Sequence, residues 1–181
     1  MGGPKAQLEV RGQPILTYLL QRLAWTGPKV LVTAPGFKHP PGSDLFDQEV
    51  IDPEEGAGPL RGILTALEHL QTQFVVVATV DMPDVTAEIL HSLVNHLVSD
   101  ASLLGAMCAR TEANQTVIEP FPLALRREAL APIRLRYQSN NRSIHRLLDT
   151  PGFTALGAPD SPDLWTNLNT PSDLARWISR L

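Results

Sequence analysis

The sequence predicts an α/β fold, a Rossmann-like three-layer arrangement with a mostly parallel sheet and helices on both faces. Three observations carry this. Short apolar runs rich in β-branched residues alternate with stretches of helical period along nearly the whole chain. The strongest run, FVVVATV at 74–80, is apolar on both faces, as a central parallel strand is. Asp52 and Asp81 each stand just after a predicted strand, on the rim where open α/β sheets bind ligands.

In order along the chain, PILTYLLQRLAW (14–25) sets Ile15, Leu16, Leu19, Leu20 and Leu23 on one helical stripe, with Pro14 suited to the first helical position. KVLVTA (29–34) is a short buried strand between prolines, and EVI (49–51) a second that ends at Asp52. LRGILTALEHL, from Pro59, repeats the helical spacing through Leu60, Ile63, Leu64, Leu67 and Leu70. After strand 74–80, residues 86–98 form a helix with Thr86 as N-cap. LLGAMCA (103–109) and QTVI (115–118) read as strands. PLALRREAL (122–130) and SIHRLLD (143–149) read as short helices. NTPSDLARWISRL closes with a helix capped by Thr170, started by Pro171 and favoured by Asp173 near its N-terminus.

The 181 residues, 43% hydrophobic and 19% charged, suit one soluble domain spanning 1–181 with a proper core. A net charge of −4 argues against a general nucleic-acid surface and leaves phosphate binding to a local site. There is no apolar run of membrane-spanning length and no basic-then-apolar leader. Cys108 is the sole cysteine, so an internal disulfide is impossible and a reducing cytoplasm is the expected compartment.

Four segments carry chemistry. Gly2-Gly3-Pro4-Lys5 offers backbone N–H groups and a point charge to a phosphate, although a plain flexible N-terminus is the bland reading. In Val80-Asp81-Met82-Pro83, a carboxylate after a buried strand suits a hard cation such as Mg²⁺, against the alternative of a turn cap. GAGPLRGI (56–63) opens a helix whose N-terminus faces the same rim, or is an ordinary loop. In Asn167-Leu168-Asn169-Thr170-Pro171, capping explains Asn169 and Thr170 but not Asn167. His91 and His96 are five apart and share no helix face, and there is no second cysteine, so a zinc site is excluded. The absence of a G-x-S-x-G elbow excludes a serine hydrolase of that type.

The order and spacing of MGGPKAQLEVRGQPIL, VLVTA, Asp52, GPLRGI, VDMP and NLNTPSDLAR resemble the molybdenum cofactor guanylyltransferases, within the Rossmann-like nucleotidyltransferases. IEPFPLALRREAL and NRSIHRLL resemble the substrate side of that family. The resemblance implies Mg²⁺-dependent transfer of GMP from GTP to molybdopterin or its molybdenum form, with release of pyrophosphate. It implies that Gly2, Gly3 and Lys5 contact nucleotide phosphates and that Asp81 holds Mg²⁺. Asp52, Gly58, Pro59, Leu60 and Gly62 fall on the nucleotide side, and Asn167 and Asn169 on the pterin side. It also implies contact with other proteins of cofactor biosynthesis.

The chain departs from the family pattern in three places. Met1 matches a methionine that relatives carry after a first strand and an L-A-G-G loop, so the natural polypeptide is expected to begin earlier, and loss of that strand to leave two open sheet edges and low activity. Pro4 stands where the family has Asp, and Thr33 where guanylyltransferases often have Asn. These two residues keep a cytidylyl- or other nucleotidyltransferase open as an alternative. The missing loop keeps open a non-catalytic relative that has lost phosphate binding.

Overall fold

The computed structural model describes residues 5–37, 39–159 and 161–181, so Gly2, Gly3 and Pro4 of the predicted phosphate loop lie outside the described residues. The elements are β1 (Glu9–Val10), β2 (Gln13–Pro14), α1 (Ile15–Leu23), β3 (Val30–Thr33), β4 (Gln48–Ile51), α2 (Pro59–His69), β5 (Phe74–Val77), α3 (Ala87–Ser99), β6 (Gly105–Glu112), β7 (Gln115–Arg126), α4 (Leu130–Gln138), β8 (Phe153–Gly157) and α5 (Pro171–Ile178).

β3 and β4 pair in parallel. A second sheet has the order β5-β7-β6-β8, in which β7 runs antiparallel to both neighbours and β6 parallel to β8. α2 starts against Asp52 at the carboxyl end of β4 and returns the chain to the start of β5, so β5 runs in the direction of β3 and β4. Five of these six strands therefore share one direction and β7 opposes them.

The period of two in the strands sorts the core into two layers. Val75, Met107, Leu123, Leu125 and Phe153 pack on one face against Leu60, Ile63, Leu64 and Leu67 of α2 and Ile133 of α4. Val76, Ala106, Cys108 and Ala124 pack on the other against Ile89, Leu90, Leu93 and Leu97 of α3. A third cluster joins Val10 of the hairpin, Ile15 and Leu19 of α1, Leu168, and Trp177 of α5. Where β6 passes β7 and β8, a Cβ on Gly105 would lie 2.7 Å from the Phe153 ring and 2.9 Å from Leu125, so any other residue forces these side chains to shift.

The chain corrects the sequence reading most sharply at 122–130, which is not a helix. Residues 122–126 continue β7, because Leu123, Ala124 and Leu125 are fully buried between two partner strands and alternate between the two core layers. Ladder pairing on both edges outweighs the helical preference of ALRREAL. The helix, α4, begins only at Leu130, after a single 3-10 turn. SIHRLLD forms a 3-10 turn at His145–Asp149, and β5 ends at Val77 rather than at Asp81. Pro14 is the N-cap residue of α1, one position earlier than expected.

Candidate active site

Lys5 opens a 3-10 turn, Lys5–Gln7, that leads into the β1–β2 hairpin. Burial of Val10 and Ile15 beside Leu168 and Trp177 ties that hairpin to the segment before α5. Lys5 Nζ then donates to Asp81 Oδ2 at 3.0 Å and to Asn169 Oδ1 at 2.9 Å. The Leu168 N–H donates to the Asp81 carbonyl at 2.8 Å. Three segments distant in sequence thus meet on one lysine, with Lys5 and Asp81 each about one-quarter exposed.

Helix α5 holds the asparagine side of this cluster. Thr170 Oγ1 accepts from the Asp173 N–H at 3.1 Å, and Asp173 Oδ2 accepts from the Thr170 N–H at 2.8 Å, a reciprocal cap. Hydrogen bonds from Thr170 and Arg176 keep the Asp173 carboxyl below its ordinary range. The cap frees Asn169 to serve Lys5, so its role exceeds the capping read from sequence. Asn167 is exposed, and its carbonyl accepts from the Asn169 N–H at 3.2 Å.

A second cluster surrounds Asp52. Its N–H donates to the Thr33 carbonyl at 2.8 Å, extending the β3–β4 pairing to the rim. Its carboxylate accepts from the Thr65 hydroxyl and lies 3.8 Å from Arg61 Nε. A Cβ on Gly62 would come within 3.5 Å of Asp52 Oδ2, so this glycine brings the first turn of α2 against the carboxylate. Gly58, the N-cap residue of α2, has φ +80° and ψ 175°, a conformation essentially reserved for glycine. Pro59 supplies no N–H, and Leu60 is fully buried in the core, so α2 can offer a ligand there only backbone groups, not the Leu60 side chain.

Thr33, at the end of β3, is buried and donates to Glu49 Oε1 at 3.1 Å. Glu49 also accepts from the His39 N–H at 2.8 Å. Burial alone would raise the Glu49 carboxyl, but the bonds from His39 and Thr33 outweigh it and leave it lowered.

Sequence reasoning passed over four residues that support these clusters. Arg61 is buried, bonds Glu68 at 2.8 Å and lies over the Tyr137 ring. Its signal was a charge flanked by Leu60 and Gly62 on a helix that is otherwise apolar on that side. Thr65 and Glu49 hold Asp52 and Thr33. Asp84, buried just past Asp81, meets Arg22 at 3.8 Å and Arg180 at 3.3 Å, which pins the turn bearing Asp81 to α1 and α5. Among the described residues, no group of three or more His, Cys, Asp or Glu is placed to hold a metal. No helix among them is long and apolar enough to cross a membrane.

Thr33, Asp52, Gly58 and Gly62 lie on one wall of an apolar slot, and Thr79, two residues before Asp81, on the other. The family model of the MobA-like NTP transferase domain matches residues 1–154. The chain belongs to the MobA-like NTP transferase family. As a member of that family it is a nucleotidyltransferase, and the Asp52 and Lys5–Asp81 clusters occupy the carboxyl rim of its sheet.

A molybdenum cofactor guanylyltransferase of Vibrio campbellii is 24% identical to this MobA-like chain over 187 residues, spanning 98% of this chain and 88% of that protein. A protein of the same name from Serratia proteamaculans is 29% identical over 180 residues, covering 98% and 87%. Among solved structures, molybdopterin-guanine dinucleotide biosynthesis protein A of Archaeoglobus fulgidus superposes with a TM-score of 0.75 at 20% identity, covering 99% of this chain and 91% of that one. The 2-C-methyl-D-erythritol 4-phosphate cytidylyltransferase of Thermus thermophilus gives 0.74 at 17% identity, covering 99% and 94%. These two likenesses establish a shared fold.

Proposed function

We propose that this nucleotidyltransferase moves GMP from GTP to the terminal phosphate of molybdopterin or its molybdenum form. A phosphate oxygen of the pterin attacks the α-phosphorus of GTP, a new P–O–P linkage forms, and the bond to the β-phosphate breaks to release pyrophosphate. The observation that carries the reading is the Lys5–Asp81–Asn169 cluster on the rim of the sheet, in a chain whose curated relatives bear the guanylyltransferase name.

The attacking group is already an anion, so the site needs charge stabilisation and alignment rather than a strong base. Lys5, steadied by Asp81 and Asn169, supplies a fixed positive charge for the departing pyrophosphate. Asp81, partly exposed with a single lysine on one oxygen, suits Mg²⁺, which takes one or two carboxylates and fills its shell with water and phosphate oxygens. Bound there, Mg²⁺ would supply charge neutralisation at the phosphates. Asp52, Thr33 and the backbone of Gly58 through Gly62 receive the nucleoside side, and Asn167 and Asn169 the pterin side. Phosphate contact is assigned to Gly2 and Gly3 from the sequence resemblance alone. A cytoplasmic location and contact with other proteins of cofactor biosynthesis belong to the same proposal.

Thr33 favours one second reading, a cytidylyltransferase, because its hydroxyl, engaged by Glu49, presents a smaller polar group than an asparagine would. Equilibrium binding of GTP and CTP, each with Mg²⁺, separates the two, with Asp81→Ala alongside. Magnesium-dependent GTP binding that the variant loses is the expected result. Preference for CTP moves the assignment to cytidylyl transfer. Binding of neither nucleotide by folded protein moves it to a non-catalytic relative.

A further inference from the structure

The chain between Asp52 and α2 leads into the helix start assigned above to the nucleoside, yet little holds it. Among the described residues, none of 53–57 makes a backbone hydrogen bond to another segment. Gly56 and Gly58 have φ +67° and +80°, and a Cβ added to either would meet nothing within 4 Å. Of residues 53–58, Ala57 alone is buried. Such a segment samples many backbone states unless a side chain fixes it.

One side chain does so from across the fold. The Tyr137 hydroxyl, in the last turn of α4, donates to Glu54 Oε2 at 2.5 Å. Two guanidinium groups lie over the Tyr137 ring, that of Arg142 at 4.7 Å from its centroid and that of Arg61 at 5.6 Å. Arg61 is itself fixed, because Glu68 accepts from it at 2.8 Å. Its Nε stands 3.8 Å from Asp52 Oδ1, buried with no hydrogen-bond partner among the described residues. Tyr137 therefore reaches the loop twice, through its hydroxyl on Glu54 and through its ring on the arginine that flanks Asp52. A ring already held by cation–π contacts loses little rotamer freedom when its hydroxyl bonds, so the bond keeps more of its value than one made by a free side chain. The bond to Glu54 raises the phenol above its ordinary value, so the hydroxyl stays protonated and donating at neutral pH.

We propose that Tyr137 is a positioning residue for nucleotidyl transfer, which acts through Glu54 to hold residues 53–58 and the start of α2 in the arrangement that receives the nucleotide. An ordered loop spares the nucleotide the cost of ordering it on arrival. Lys5 and Asp81, the charged groups assigned to the reacting phosphates, lie in the other cluster, so Tyr137 governs binding and leaves the chemical step alone. The proposal rests on the reading that sets the nucleoside against Gly58 through Gly62.

The test compares Tyr137→Phe, Glu54→Ala and the double variant with the unchanged chain. Phenylalanine keeps the ring and its stacking and loses only the hydroxyl. In nucleotide-free protein each single substitution is expected to speed amide exchange at residues 54–58 by about 10-fold, with Tm and exchange in the sheet unchanged. With GTP and Mg²⁺, Kd and KM are expected to rise together by about 10-fold while kcat stays within about twofold. The double variant is expected to be no worse than either single one. Loop exchange that Tyr137→Phe leaves unchanged overturns the proposal whichever nucleotide the protein takes. Additive losses in the double variant overturn it too, because the two residues then act independently. Faster loop exchange without weaker binding of GTP or CTP overturns the positioning role and leaves a purely structural tie. The same split of KM from kcat seen with CTP in place of GTP supports the role of Tyr137 and overturns the guanylyl assignment.

Discussion

Lys5 touches two residues that are 76 and 164 positions away, and both contacts are hydrogen bonds of ordinary length. Removing its charge with Lys5→Ala is expected to lower kcat by roughly 10²–10³-fold, the usual loss of one charge-stabilising donor, while the fold stays intact by circular dichroism. At Cys108, burial first and then the Glu119 carboxylate push the thiol up to about 12 from 9.0. The native thiol is therefore neutral at pH 8, and iodoacetamide is expected to label it only after unfolding. The sign of the linkage follows from the raised value. The contribution to stability is complete below about pH 9 and is lost as pH climbs toward 12. Arg126 is buried and donates to the Leu97, Asp100 and Leu103 carbonyls at the end of α3. Arg126→Leu should lower stability by about 2 kcal/mol in urea titration, since those carbonyls lose a charged donor. Asp52, Asp81 and Lys5 were legible in the sequence because position after a strand, or within a glycine loop, marks a residue locally. Arg61 and Asp84 were not, because their importance lies in partners that only the folded chain supplies.

At the scale of elements, α1, α2, α3 and α5 were legible because each has a helical apolar stripe and, for α2 and α5, a proline at the first position. The start of β7 was read correctly at 115–118, but its second half was misread because leucines in LALRREAL satisfy a helical spacing as well as a strand alternation, and only pairing on both edges decides between them. β8 and the small β1–β2 hairpin lack a local apolar signature long enough to find. Gly105→Ala, which sets a methyl group against Phe153 and Leu125, is expected to cost about 1–3 kcal/mol and to raise exchange rates across β6, β7 and β8. Thr170→Ala removes the acceptor for the Asp173 N–H and should cost about 1 kcal/mol. Because Asn169 precedes that cap, the same substitution is expected to raise KM for the substrate, a change that assay at several concentrations resolves.

Across the whole molecule, the parallel α/β plan was readable from alternation, and the two open sheet edges followed from the family pattern, while the order β5-β7-β6-β8 was not, since nothing local records which strands pair. Acid should act on the joints between elements. Glu68, which burial would raise but Arg61 and Arg134 hold low, links α2 to α4, and Glu49 links β4 to the residue before the rim loop. Both carboxyls are lowered in the folded state, so the stability they bring is present above about pH 4.5 and is lost as pH falls through their folded values. Thermal melts between pH 6 and 3 are expected to show Tm falling, less steeply in a Glu68→Gln variant.

The bond between Lys5 and Asn169 also bears on when the proposed phosphate site comes into being. The sheet and its covering helices α2, α3 and α4 are complete by residue 157, whereas the lysine has no asparagine to meet until residue 169 has left the ribosome. Closing so long a loop is entropically slow, so packing in the nascent chain precedes this contact by at least the time needed to synthesise residues 158–169.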